Sequence, residues 1–218
     1  MDNFPIIVIS IVLLGLILNY LFFSRQAVVS NTISKTPRKK LSEVKDGETV
    51  SISGKVVFSG RVMTAPLSKR KCVYYHVIVK DANSSRDTFR NYIDIDEEKA
   101  SDVVLFDGEH YAIISTKSVK AYIVKDETFY SGFWNSTTPE LKEYLVKHGE
   151  KTTNMLGFSL NLSAQEGVLE AGEKLKVAGK ASWHKSSDFK LKIPHQKVLF
   201  IQASDEQAVF ITDDPYVE

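Results

Sequence analysis

The sequence predicts a mainly β, α+β protein: an N-terminal transmembrane helix, then a β-barrel-like domain with one prominent soluble helix near 138–148. Three observations predict it. No charged residue occurs from Asn3 to Ser24. From Leu41 onward, β-branched and aromatic residues recur with a period of two, the repeat of a half-buried strand. One segment alone, Thr137–Gly149, combines helical periodicity with start and stop signals.

Phe4–Phe23 reads FPIIVISIVLLGLILNYLFF. Twenty helical residues span about 30 Å, the hydrocarbon thickness of a bilayer. In lipid a helix satisfies every backbone group within its own segment. Pro5 suits a first helical turn, and Tyr20, Phe22 and Phe23 suit the aromatic belt. The start Met-Asp-Asn and the length of the run argue against a cleaved signal peptide. Residues 1–24 are therefore read as an anchor and 25–40 as a flexible, basic juxtamembrane linker. Arg25, Lys35, Arg38, Lys39 and Lys40 all follow the apolar run and none precedes it. The expected topology is single-pass, N-terminus outside and domain in the cytoplasm.

Residues 41–218 are of ordinary domain size. Residues 1–40 hold five of the 28 basic and one of the 27 acidic residues, so the remainder holds 23 and 26 and is net −3. That balance argues against nucleic acid as a partner. One cysteine, Cys72, excludes an intramolecular disulfide framework and any Cys-rich zinc module or iron–sulfur cluster within this sequence. No cofactor is expected.

Strands are expected over Glu48–Phe58, Val73–Val79, Tyr92–Asp96, Val103–Phe106, Tyr111–Ile114 and Val119–Val124. Asp46-Gly47 and Asp107-Gly108 supply turns. Thr137 and Glu140 form a candidate capping box, Pro139 lies in the first turn, and Gly149 closes the helix. Strands return at Gly167–Leu169, Glu173–Ala181, Lys197–Gln202 and Ala208–Thr212, and a loose C-terminus follows from Asp213.

An internal echo runs through this pattern. Val44, Gly47, Glu48, Val50, Ile52, Gly54 and Lys55 recur, 125 positions on, as Leu169, Gly172, Glu173, Leu175, Val177, Gly179 and Lys180. The unit reads as a tight turn, a strand with one buried face, and a glycine where the strand bends or meets close backbone. Such a strand suits a small closed barrel. Either two related β lobes exist, 41–130 and 165–212 around a helical insert 131–164, or the match is chance.

Cys72 and His76 fall on one strand face, so a Cys–His pair is geometrically open, with a structural core cysteine as the alternative. Asp94, Asp96, Glu97 and Glu98 read as a solvated acidic strand end. Lys69-Arg70-Lys71, ahead of Tyr74 and Tyr75, is a candidate interaction loop or a plain solvated turn. No P-loop, nucleophile elbow, dinucleotide fingerprint or metal-ligand spacing occurs, so no catalytic residue is assigned.

Pro66-Leu67-Ser68 followed by Cys72-Val73-Tyr74-Tyr75 resembles the P-L-S-x-x-x-C-V-Y-Y element of the GIDE-type, or beside-a-membrane, domain family. Glu166–Gly179 is similar to that family's E-x-x-L-x-x-G-E-x-V-x-V-x-G strand, and Lys197–Gln207 to its closing stretch. The resemblance covers roughly residues 41–212. It implies a membrane-tethered domain and structural roles for Pro66, Leu67, Cys72, Gly47, Gly54, Gly172, Glu173 and Gly179. Relatives include membrane-anchored RING-type ubiquitin ligases of mitochondria and plastids, and simpler bacterial members. A RING needs eight Cys/His ligands, which this sequence does not hold. The expectation is a non-enzymatic interaction or sensing module working at the bilayer with a membrane protein or membrane-recruited partner. The alternatives are a RING-less ligase relative acting with a partner in trans, and a structural subunit of a membrane complex.

Overall fold

The structure, a computed structural model, describes residues 24–82, 93–153, 156–205 and 207–217. The expected membrane helix Phe4–Phe23 lies outside the described residues, as does Tyr92. Among the described residues no helix is long and apolar enough to cross a membrane.

The chain is mainly β. It opens with helix α1 (Arg25–Lys35), followed by β1 (Thr49–Val57), β2 (Met63–Thr64), β3 (Lys71–Cys72), β4 (Tyr74–Asp81), β5 (Asp94–Ala100), β6 (Val103–Phe106), β7 (Tyr111–Ile114), β8 (Val119–Tyr122) and β9 (Glu127–Ser131). Helix α2 (Pro139–Lys147) precedes β10 (Leu162–Leu169), β11 (Lys174–Lys185), β12 (Lys197–Gln202) and β13 (Val209–Thr212). Seven strands form one sheet in the order β1-β6-β7-β12-β11-β13-β8, and four form another in the order β5-β4-β10-β9. The sheet with seven strands does not close into the expected barrel. The β1–β11 pairing links the ends of the run β1-β6-β7-β12-β11, but β13 and β8 branch from β11 and leave β8 as an edge.

The echoed strands do not head separate lobes; they pair with each other. β1 and β11 are antiparallel, with Val50 opposite Gly179, Ile52 opposite Val177 and Gly54 opposite Leu175. The turns mirror one another. Gly47 N–H donates to the Ala181 carbonyl and Gly172 N–H to the Val56 carbonyl, each at 2.8 Å. Both turn glycines have positive φ, 81° and 93°, which side chains rarely adopt. Gly54 and Gly179 do not have positive φ and serve close approach instead. A Cβ on Gly54 would meet the Phe106 carbonyl at 3.0 Å, and one on Gly179 the Ile201 side chain at 2.7 Å.

Ile52, Val56, Leu105, Leu175, Val177, Leu199 and Ile201 fill the core of the larger sheet. α2 lays Leu141, Tyr144 and Leu145 on Val77, Val79, Ala164 and Val168 of the smaller one. The helix cap is Thr138, whose Oγ1 accepts from Leu141 N–H, rather than Thr137; Pro139 at the first helical position fixes that boundary. Segment 131–164 is therefore not wholly a helical insert, because β10 begins at Leu162.

Two segments expected to be loose are docked. Residues 25–35 of the basic linker form α1, capped by Ser24 Oγ accepting from Ala27 N–H at 3.2 Å and ended before Pro37. Its sequence, RQAVVSNTISK, has modest helix propensity. The helix holds because Val29 and Ile33, one turn apart, are buried with Ala178, Phe210 and Val217. The C-terminal tail supplies that Val217. Lys176 Nζ donates to the Asp214 carbonyl (2.9 Å) and also to the Val217 carbonyl, and Gln26 Nε2 donates to Asp214 Oδ2 (3.2 Å).

Candidate interaction site

The candidate loop is a tight hairpin between β2 and β3 in which Lys69 adopts a φ of 60°. Its conformation is set from β10 by Glu166, which has no solvent exposure. Glu166 Oε1 accepts from Leu67 N–H and Oε2 from Ser68 N–H, both at 2.8 Å. Two charge-assisted bonds to backbone donors meet the buried carboxylate's need for partners. The P-L-S element and the glutamate of the second motif are thus two halves of one structural device.

The basic triplet divides. Lys69 and Lys71 are exposed, Lys69 reaching Glu143 of α2 at 3.0 Å. Arg70 is half-buried and turned into a ring of acids: Asp126 at 2.8 Å, Glu170 at 3.0 Å and Glu127 at 3.8 Å. Its Nε also donates to Ser68 Oγ. Tyr74 and Tyr75 are buried, and Tyr74 Oη donates to Glu98 at 2.6 Å. Burial, then the bond to Glu98, pushes the Tyr74 phenol above its ordinary value. Of the five candidate interaction residues, the structure leaves Lys69 and Lys71 at the surface.

The motif residues are structural in position. Leu67 and Cys72 are buried, and Pro66 precedes the clamped amides. Burial pushes the Cys72 thiol up to about 11, which suppresses the thiolate. No Cys–His pair forms: His76 Nε2 bonds Asp96 Oδ1 at 2.6 Å. Burial lowers the His76 pKa despite that carboxylate, so the ring is neutral near pH 7 and donates its N–H. Glu173 Oε2 accepts from Glu170 N–H at 2.7 Å in the turn beside Gly172.

The acidic strand end is not simply solvated. Glu98 joins Arg25 of α1 to Tyr74, and Glu97 accepts from Tyr144 Oη of α2 at 2.8 Å. β5 therefore bonds side chains of both helices, in addition to the packing of α2 on β4 and β10.

One surface was not read from the sequence. The β9–α2 loop closes through Gly132 N–H to the Asn135 carbonyl at 2.8 Å and carries Phe133 (65% exposed) and Trp134 (90% exposed). Thr153 and Ser159 bridge, with a turn at Gly157, whose φ is 82°. That turn brings Phe158 to 5.1 Å from Phe133, with exposed Leu156 beside it in sequence. Exposed Tyr130 stands on β9 at the base of the first loop. The signal in the sequence is the lack of charge: none from Thr128 to Pro139 and none from Thr152 to Gln165, in a chain with 25% charged residues. The chain matches no protein-family model and no curated protein.

Proposed function

We propose that the chain is a single-pass, membrane-anchored, non-enzymatic interaction module of the GIDE type, with its N-terminus outside and its domain in the cytoplasm. What carries the reading is the junction at Ser24. The uncharged run Phe4–Phe23 leads directly into α1, and α1 is fixed to the domain by buried Val29 and Ile33 and by the Arg25–Glu98 ion pair. A domain on such a junction is a fixed body beside its anchor. The basic residues that follow the run, and the shared Pro66–Tyr75 and Glu166–Gly179 motifs, support the same reading. Lys69 and Lys71 are the exposed charges of the motif loop and suit an acidic partner.

The test is a pair of reporter fusions to Glu218, one active only in the cytoplasm and one only outside it, followed by carbonate extraction of the membranes. The expected result is an active cytoplasmic reporter and a protein that stays with the membrane. Release by carbonate, or activity of the opposite reporter, overturns the proposal.

A further inference from the structure

Among the described residues, six of the nine exposed large hydrophobic side chains fall between positions 130 and 158: Tyr130, Phe133, Trp134, Val146, Leu156 and Phe158. Two adjacent loop tips supply the centre of this group. Phe133 stacks edge-on against Trp134 at 5.0 Å and packs on Phe158 at 5.1 Å. We infer that this aromatic crest is a membrane-docking element, which inserts into the interfacial layer of the same phospholipid bilayer that the Phe4–Phe23 segment enters. The inference rests on the anchored reading above.

Contiguous apolar surface of this kind marks an interaction site, and three observations select a bilayer as its occupant. The crest is convex: Trp134 stands at a loop tip with nine-tenths of its surface exposed, whereas protein partners concentrate their anchors in well-packed pockets. Its two segments carry no charge from Thr128 to Pro139 or from Thr152 to Gln165, so entry into the headgroup region strips water from no ion. Its aromatic residues, Trp, Tyr and Phe, are types that rest between acyl chains and water. The chain's own anchor brings lipid within reach. Arg25 at the start of α1 meets Glu98 of β5, and the crest rises beyond the end of β9 on the opposite edge of the same sheet, three strand spacings or roughly 14 Å across and about seven residues or roughly 23 Å along the strands, within the footprint of one domain lying against a bilayer.

The experiment uses the full chain reconstituted in phosphatidylcholine vesicles. Trp134 emission is taken as the difference between the native protein and Trp134→Phe, a change at an exposed side chain. Lipids brominated at mid-chain positions quench from within the bilayer, and iodide quenches from water. The expected result is a blue-shifted Trp134 component, quenched at least twofold by brominated lipid and protected from iodide. Water-like emission, quenched by iodide and indifferent to bromine, overturns the inference. Protection that persists in detergent and grows with protein concentration also overturns it and assigns the crest to a second copy of this chain. Vesicle flotation reports the anchor separately: a chain that does not float refutes the anchored reading, while quenching on simple addition of vesicles still decides the crest.

Discussion

Ile52 and Val177 stand directly opposite each other in the β1–β11 ladder, and each is the other's counterpart in the 125-residue echo. The local two-fold axis of the repeat therefore passes between them. The turns and strand glycines are related about that axis: Gly47 and Gly172 in the turns, Gly54 and Gly179 against neighbouring strands. A turn–strand–glycine unit that leaves one backbone edge unpaired is completed by its own duplicate.

Equivalent glycines should respond alike. Gly54→Val pushes a side chain into the Phe106 backbone, and Gly179→Val into Ile201 and the Gln202 carbonyl. Each change is expected to cost about 1–3 kcal/mol by overpacking. Chemical denaturation of the detergent-solubilised chain measures this. An unchanged midpoint for either variant refutes the close-approach account.

Arg70 should behave as a structural residue and its neighbours as surface ones. Arg70→Glu places a fourth carboxylate among Asp126, Glu127 and Glu170, and the expected loss is about 2–4 kcal/mol. Lys69→Glu with Lys71→Glu should leave the melting temperature within about 3 °C, since exposed pairs are worth under about 1 kcal/mol. Capture of partners from detergent extracts by the double variant should fall, and native capture should weaken with salt. A stable Arg70→Glu protein would mean that the acid ring does not hold the loop.

Glu166→Gln should free the motif loop without unfolding the sheet. The amide retains one acceptor oxygen for Leu67 or Ser68 N–H and turns its NH2 toward the other. A loss of about 2–3 kcal/mol is expected. Amide hydrogen exchange at Leu67 and Ser68 should accelerate ahead of exchange in β4. Unchanged protection at both amides would show that the carboxylate is not their clamp.

Stability should carry the mark of Asp213. Burial raises its carboxyl to about 6 in the native protein, even though Val124 N–H donates to it. A raised folded-state value means that the native state holds its proton more tightly than the unfolded chain does. This contribution is complete below the unfolded value near 4 and is lost as pH rises through about 6. Asp213→Asn keeps the acceptor for Val124 N–H and removes the titration. The variant is expected to gain of order 1–3 kcal/mol at pH 7 relative to the native chain and to match it near pH 4. Parallel denaturation curves at pH 4, 5, 6 and 7 test this. A constant difference across that range assigns the effect to something other than this carboxyl.

Much of the sheet was legible because its strands are short β-branched runs. Val103–Phe106, Tyr111–Ile114 and Lys197–Gln202 lie where alternation and the Asp107-Gly108 turn put them. α1 was not legible because its own propensity is modest; burial of Val29 and Ile33 by residues far along the chain, Phe210 and Val217, makes it a helix. The same distance hid the tail's docking on Lys176. Arg70, Tyr74 and Tyr75 were read as accessible from residue type, but accessibility depends on Asp126, Glu170 and Glu98, which local sequence does not bring together. The aromatic crest comes from two segments separated by α2 and is visible in sequence only as missing charge.

The docking of the tail on α1 has a mechanical consequence. Tension drawn through Ser24 meets the Arg25–Glu98 ion pair and then Val29 and Ile33, and through them Phe210 and Val217. Phe210 belongs to β13, which lies between β11 and β8 rather than at a sheet margin. Load carried past Arg25 by the helix enters the interior of the larger sheet and is shared along β11, the longest strand among the described residues. The domain is gripped through a packed helix, and a pull on Ser24 shears that helix across several strands of two sheets rather than drawing on one strand alone.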